Sequence, residues 1–378
     1  MESLKALLIS CYGFHDEIRL KYMESILREQ GVQVKKVFSN FDHLNKRRVS
    51  YKKTNIIEIK VPSYHKNISL KRLCSHMLFS YKLRKVLNQE RPDLVIADIP
   101  PNTIGMSVAA YKKKNKSCKV IFDVMDLWPE SFPESMLMKL PLWFWKRIRT
   151  KALPQGDYVI LECNHYKKFL KGSLREGKYS VLYLCKSPLK EKLQFFHQEE
   201  TLNFCYLGSI NNIIYISAII EMLKAIQHKR EVKLYLIGDG EKRDYFLNQL
   251  KVNEIPVEYL GLVFDDEVKH DILRRCHFGL NMYKDNIVVG LTMKSLDYFR
   301  VGLPIINMNI ADTGVLVKEY QAGVDLTGDQ WSKGIDELIE LNSKEWKTMH
   351  ENTYRMFHEL FSEEIFIEKF RKVLERCE

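Results

Sequence analysis

A chain of 378 residues is too long for one ordinary hydrophobic core, so two domains of similar size are expected, and an apolar content of 46% suffices for both. The net charge of +11 is unevenly spread: residues 1–190 carry 36 Lys and Arg against 17 Asp and Glu, a net +19, and the remainder carries 23 against 31, a net −8. A polyanion is therefore expected to meet the first half only, whether nucleic acid, an anionic bilayer or a diphosphate-bearing substrate. The eight cysteines form no C-x-x-C pair and have no metal-ligand spacing, so neither a disulfide scaffold nor a cysteine metal site is expected, and they read as reduced core thiols of a cytosolic protein. The N-terminus shows no cleavage pattern, and no apolar run reaches the length of a membrane span.

The chain opens on an apolar run at residues 5–10, the pattern of a central parallel strand buried on both faces, with Gly13 as the turn that follows. Ile18, Tyr22, Ile26 and Leu27 recur at helical spacing over residues 17–30, and Gly31 ends that helix ahead of a strand at 32–38. Residues 40–70 are polar and poorly periodic apart from a strand at 56–61, stopped by Pro62. Helix 70–89, strand 92–98, helix 103–113 and strand 119–123 follow. This repeated order specifies a parallel, doubly wound sheet, whose ligands bind beyond the carboxyl ends of the strands. Gly13, Asp123, Asp126 and Glu130 fall at such ends. Gly13 reads as a plain turn or as a phosphate contact. Asp126 reads equally as a site carboxylate or as the N-cap of a helix starting near Trp128 and Pro129, and the two roles are compatible.

Residues 140–151 place Trp143, Phe144 and Trp145 directly ahead of Lys146, Arg147, Arg149 and Lys151. Aromatic bodies with cationic tips suit the headgroup layer of an anionic membrane; the competing reading is an ordinary amphipathic core helix. Short strands at 157–161 and 180–185 precede a charged linker at 186–201. The domain boundary is expected there, with a first domain at 1–188 and a second at 189–355.

The second half repeats the same order. Strand 202–207 enters Gly208 and Ser209, strand 232–237 enters Gly238 and Gly240, and strand 257–260 enters Gly261, with helices at 214–228, 241–251 and 266–275 between and after them. A second doubly wound sheet follows from this spacing, with glycines at the ligand-side strand ends. After a strand at 278–282, residues 290–304 carry the most chemistry per residue. Thr292 is a helix N-cap, Gly302 a left-handed helix end, and Pro304 a stop before the strand at 305–308. Lys294 then lies in the first helical turn, where backbone N–H groups already favour an anion, and Asp297 lies three residues on. A cation for phosphate beside a carboxylate for sugar hydroxyls suits a nucleotide-sugar site; a surface ion pair is the alternative reading. A strand at 323–326 and a tail helical throughout 345–378 complete the chain. The terminal helix, residues 356–378, is expected to cross back to the first domain.

Residues 202–208, Leu236-Ile-Gly-Asp-Gly240, Gly261 and the pattern Lys294, Asp297-Tyr298, Gly302-Leu-Pro304 resemble the C-terminal half of family-four glycosyltransferases (glycosyltransferase group 1) of the GT-B fold. Asp123-Val-Met-Asp126-Leu-Trp-Pro129 is similar to a segment of members that build bacterial surface polysaccharides. The resemblance implies an α/β architecture of two doubly wound, Rossmann-like domains facing a cleft. It implies a retaining transfer from a nucleoside-diphosphate sugar, with UDP-sugar favoured, and neither metal nor cofactor. Lys294 would neutralise the leaving diphosphate and Asp297 would bond the ribose. Gly208, Ser209 and Gly238 would line the diphosphate, and Gly261 to Val263 would approach the base. Asp126 would face the acceptor or the transferring sugar, with Gly13, Asp123 and Glu130 on the acceptor side.

Two departures stand out. The family often carries two glutamates with seven residues between them; Asp297 takes the second place, and Val289 stands in the first, leaving Asp285 as a substitute. The basic residue that commonly follows Gly208 is missing, with Lys242 or Arg243 as replacements. The expected partners are a nucleotide sugar, a polyprenyl-diphosphate-linked glycan acceptor and an anionic membrane surface reached by Trp143, Phe144, Trp145, Lys146 and Arg147. No nucleic acid is expected, because the basic residues are scattered without a binding motif. The expected place is cytoplasmic, peripheral at the inner face of the cell membrane, in capsule or other surface polysaccharide synthesis. A non-catalytic GT-B subunit supporting a partner transferase and a sugar-nucleotide epimerase are the alternatives.

Overall fold

The computed structural model describes residues 3–67, 69–128, 130, 139–191, 194–195, 201–284, 287 and 289–377, with the side chains of residues 139–142 excepted. The chain forms two compact units, Met1–Cys185 with Glu363–Glu378, and Lys186–Ser362. Each is built on its own parallel sheet.

The first unit contains β1 (Lys5–Ile9), β2 (Gln33–Ser39), a two-stranded ribbon of β3 (Phe41–Asp42) and β4 (Arg47–Arg48), β5 (Ile56–Ile59), β6 (Leu94–Ile99), β7 (Lys119–Val124), β8 (Tyr158–Leu161) and β9 (Tyr179–Val181). Its main sheet has the order β5-β2-β1-β6-β7-β8-β9, all parallel, with β1 at the point where the winding reverses. The apolar runs explain this placement. β1 and β6 are buried almost end to end, as central strands covered by helices on both faces must be. The ribbon falls inside the polar stretch 40–70, ahead of residue 56, where sequence periodicity gave no strand.

Leu20, Tyr22, Met23, Ile26 and Leu27 pack under this sheet together with Phe366, Phe370 and Val373 of the last helix, Glu363–Cys377. The tail is not one continuous helix as expected. It breaks between Ser343–Leu360 and Glu363–Cys377, because Phe361 accepts from the Lys186 backbone N–H at 3.0 Å and Ser362 bridges Lys186 in parallel. Those bonds replace the helical ones at that point.

The second unit contains β10 (Thr201–Leu207), β11 (Glu231–Ile237), β12 (Val257–Gly261), β13 (Phe278–Asn281), β14 (Ile305–Asn307) and β15 (Gly323–Asp325), in the order β12-β11-β10-β13-β14-β15 and all parallel. β10 and β11 pair over seven residues, Thr201 with Glu231 through Leu207 with Ile237. The winding reverses between β10 and β13, and at such a switch point the loops diverge and leave a crevice at the carboxyl ends.

Candidate functional site

The helix Met293–Arg300 brings the chemistry of the second unit to that switch point. Thr292 caps it, its hydroxyl accepting from Ser295 N–H at 3.1 Å. Gly302 ends it at φ +76°, with no room for a Cβ against His350. Two buried contacts fix its position. Tyr298 Oη accepts from Leu207 N–H at 2.8 Å and donates to the Cys205 carbonyl at 3.1 Å, tying the helix to the end of β10. Ser295 Oγ reaches Asn281 Oδ1 at 3.2 Å, and the Asn281 amide donates to Asn307 at 2.9 Å, tying the first turn to the ends of β13 and β14.

Lys294 is therefore held inward. Its residue is only 8% exposed, and its Nζ lies 4.5 Å from the ring centroids of both Tyr206 and Tyr283. Nζ has no hydrogen-bond partner, and among the described residues no carboxylate pairs with it. Burial pushes the ammonium down to about 7. Two aromatic faces offset part of the desolvation, but a tyrosine quadrupole is a weak substitute for a counter-ion. When protonated, the group is a cation to which no described residue supplies an anion.

Glycines open the space around it. Gly208 lies at φ +125° beside the Lys294 stem, where an added Cβ would come to 3.9 Å from Cδ. Gly238, at φ +140°, packs so closely that a Cβ would stand 1.9 Å from the Gly208 carbonyl oxygen. Its N–H donates to the Gly261 carbonyl at 2.7 Å, so Gly208, Gly238 and Gly261 form one row across the strand ends. Ser209 is exposed next to that row, and Val263 is half-buried between the exposed Leu262 and Phe264. The tertiary fold thus gathers Gly208, Ser209, Gly238, Gly261 and Lys294, which the sequence had named separately. It also adds Tyr206 and Tyr283, to which the sequence gave no role, and shows Tyr298 of the motif as the tie between helix and strand.

Asp297 faces elsewhere. Its Oδ1 pairs with Lys186 and lies 3.7 Å from Lys269, and no ion pair joins it to Lys294. The surface-pair alternative for Lys294 and Asp297 does not hold. Arg243 meets Asp239 at 3.2 Å and Asp244 at 2.8 Å, so its charge is already engaged. Lys242 sits over the Tyr245 ring. Asp285 lies outside the described residues. Val289 is half-buried, its carbonyl accepting from Asn309 Nδ2.

In the first unit two of the expected site residues, Asp123 and Glu130, are engaged in buried ion pairs. Asp123 is fully buried, and both its oxygens accept from Arg19, Oδ2 from Nε at 2.5 Å and Oδ1 from Nη2 at 3.0 Å, while Arg19 Nη1 donates to the Leu182 carbonyl. Burial, reinforced by Asp98, holds its carboxyl above the ordinary range despite the guanidinium. Glu130 is closed in a buried bidentate pair with Arg149. Each charge is matched by an arginine, 104 positions away for Asp123 and 19 for Glu130. Gly13 is half-buried under Tyr51, whose Oη would be 2.0 Å from an added Cβ. Asp126 is half-buried, within the electrostatic reach of Tyr12. Trp143 and Phe144 are exposed at 53% and 61%, with Arg147 over the Trp143 ring. Trp145 is not: it is buried edge-on against Trp128 at 5.2 Å, because a helix turns each successive residue by about 100°. Lys146 is half-buried.

Comparison with known proteins places this geometry. Residues 201–341 match the family described as Glycosyl transferases group 1. A chitobiosyldiphosphodolichol beta-mannosyltransferase of Kluyveromyces lactis is 31% identical over 93 residues, 24% of this chain and 20% of that protein. The chain thus spans about a fifth of the length of that curated relative. Among solved structures, the apo form of the lipopolysaccharide outer core galactosyltransferase WaaB superposes with a TM-score of 0.72 at 15% identity, covering 98% of this chain and 99% of that one. Sucrose-phosphate synthase from Thermosynechococcus elongatus gives 0.71 at 12% identity over 99% and 98%. Anabaena Alr3699/HepE, in complex with UDP and glucose, gives 0.66 at 14% identity over 98% and 99%. These likenesses show a shared GT-B fold.

Proposed function

We propose that this chain, a member of the glycosyl transferases group 1 family through residues 201–341, is a retaining glycosyltransferase. It moves a sugar from a nucleoside-diphosphate donor, UDP-sugar foremost, onto a polyprenyl-diphosphate-linked glycan in surface or capsular polysaccharide synthesis. The observation that carries the reading is Lys294, a buried amine with no hydrogen-bond partner among the described residues, at the start of a capped helix on the ligand side of a parallel sheet. An arriving diphosphate supplies the missing counter-charge. As the bond from the anomeric carbon to the phosphate oxygen breaks, negative charge grows on the leaving group, and Lys294 with the first N–H groups of the helix stands ready to receive it. No metal is required for that step. Gly208, Ser209 and Gly238 line the diphosphate, and Gly261 and Val263 approach the base. Both lysines meet Asp297 at Oδ1, which leaves Oδ2 for a ribose hydroxyl. Asp126 faces the acceptor.

Support for the donor comes from the UDP and glucose in the Anabaena structure, and for the acceptor from the diphosphodolichol in the yeast relative's name. No helix among the described residues is long and apolar enough to cross a membrane. We assign attachment at the inner face of the cell membrane to the exposed Trp143 and Phe144 with Lys146 and Arg147, where each basic side chain near an anionic leaflet adds about 1 kcal/mol.

A second reading, a non-catalytic GT-B subunit, is favoured by Val289 standing where a carboxylate is expected and by the lysines on Asp297. One assay separates the two. The protein is incubated with UDP-, dTDP- and GDP-sugars, and release of nucleoside diphosphate is followed. Release with one nucleotide identifies a transferase and its donor; thermal stabilisation by a nucleotide with no release from any sugar identifies the silent subunit.

A further inference from the structure

A second unpartnered cluster lies at the carboxyl ends of the first unit's sheet, and the reading above leaves it unassigned. Arg72, on the helix Leu70–Glu90, is 8% exposed. Its Nη1 donates to the Asn67 carbonyl at 2.7 Å and its Nη2 to Tyr12 Oη at 3.0 Å, its guanidinium lies 5.8 Å from the Trp128 ring, and its Nε has no partner. No carboxylate among the described residues forms an ion pair with it.

The hydrogen bonds fix a second orphan donor. Tyr12 Oη accepts from Arg72, which can only donate, so the phenol proton points to His76 Nε2 at 3.1 Å. His76 is 1% exposed, and burial with the Arg72 charge holds it neutral, so its own proton sits on Nδ1. That Nδ1 has no partner either. Beside them, His43 Nδ1 meets Tyr64 Oη at 2.6 Å, and Lys46, 3.5 Å from the same nitrogen, extends its ammonium over the Tyr64 ring at 5.3 Å. Two donors without acceptors among the described residues, Arg72 Nε and His76 Nδ1, are thus linked through Tyr12; Arg72 and Lys46 both bond Asn67, through its carbonyl and its Oδ1, and Asp126 is the acidic group in reach of Tyr12. Buried donors without acceptors are costly, and an anion with several oxygens satisfies both, with the Lys46 ammonium adding a further charge.

We propose that this cluster is a second phosphate site, separate from the Lys294 site, which holds the phosphate or diphosphate of a ligand other than the donor nucleotide. Where the transferase reading holds, and the assignment to a substrate rests on it, that ligand is the acceptor, gripped through its diphosphate while the attached sugar faces Asp126.

The test is calorimetric titration of the full chain with inorganic pyrophosphate and with a short prenyl diphosphate, each in saturating UDP. Binding that persists in UDP and in Lys294→Ala, and weakens at least tenfold in Arg72→Gln and in Lys46→Gln, is the expected result. Because Lys46 is only half-buried and bonds only Asn67 and His43, that variant keeps the fold if Arg72→Gln does not. Tighter binding of the prenyl ligand assigns the site to a lipid-linked acceptor, and equal binding assigns it to a soluble phosphorylated ligand. Wild-type affinity in Lys46→Gln and in a folded Arg72→Gln, or full competition by UDP, overturns the proposal. Pyrophosphate binding lost in Arg72→Gln, with no sugar nucleotide ever turned over, defeats the transferase reading and leaves this site standing.

Discussion

The two sheets share a winding rule and both present charged side chains at their carboxyl ends, yet they treat those charges in opposite ways. In the first unit Asp123 and Glu130 are consumed by Arg19 and Arg149, buried pairs with no capacity left for a ligand. In the second, Lys294 is also buried and has no partner among the described residues. Position at a strand end is therefore not what marks a site. An uncompensated charge is, because burial of such a group is tolerated only where something arrives to match it.

The comparison breaks most sharply at Asp123. Asp123→Ala strands the Arg19 guanidinium in the core, and urea unfolding should show a loss of about 3–5 kcal/mol, with nucleotide affinity per folded molecule unchanged. Lys294→Met should do the reverse. Nucleoside-diphosphate release should fall by about 10²–10³-fold, while the unfolding midpoint of the unliganded protein stays level or rises, since a desolvated charge is gone.

A third test uses pH. The Lys294 ammonium is held near 7 when folded and at the ordinary 10.5 when unfolded, so between those values the unfolded chain binds more protons. The contribution of Lys294 to stability in the unliganded protein therefore rises as pH climbs from about 7 toward 10.5, and Lys294→Met should flatten that rise. Nucleotide binding has the opposite slope, because a bound diphosphate favours the ammonium. Affinity should fall above pH 7, by up to about tenfold per unit, with proton uptake visible when calorimetry is repeated in buffers of different ionisation enthalpy. The smallest effect is expected at the surface. Trp143→Ser with Phe144→Ser should reduce flotation with anionic vesicles several-fold and leave stability within about 0.5 kcal/mol, whereas Trp145→Ser should lower stability.

Much of this fold was legible in the chain. Continuous apolar runs such as β1, β6 and β10 can only be strands covered on both faces, and glycines at 208, 238 and 302 occupy backbone conformations that other residues strain to adopt. The short ribbon of β3 and β4 and the break at Phe361 were not legible. Both depend on backbone hydrogen bonds that no side-chain pattern marks, Val49 N–H to the nearby Asn40 carbonyl and Lys186 N–H to the distant Phe361 carbonyl. Helical periodicity showed the aromatic run at 143–145 as one feature, and packing against Trp128 split it into an exposed pair and a buried third.

For the site, the local pattern alone set the capped helix, the place of Lys294 in its first turn and the glycine row, since caps, φ angles and spacing are properties of a few neighbouring residues. Tertiary structure alone decided the electrostatics. Whether Lys294, Asp123, Glu130, Asp297 or Arg72 is paired depends on residues 19 to more than 100 positions away, and pairing determines both the cost of burial and the capacity to bind. Tyr206 and Tyr283 around Lys294, and Tyr12 and His76 around Arg72, are brought together only when the sheets close.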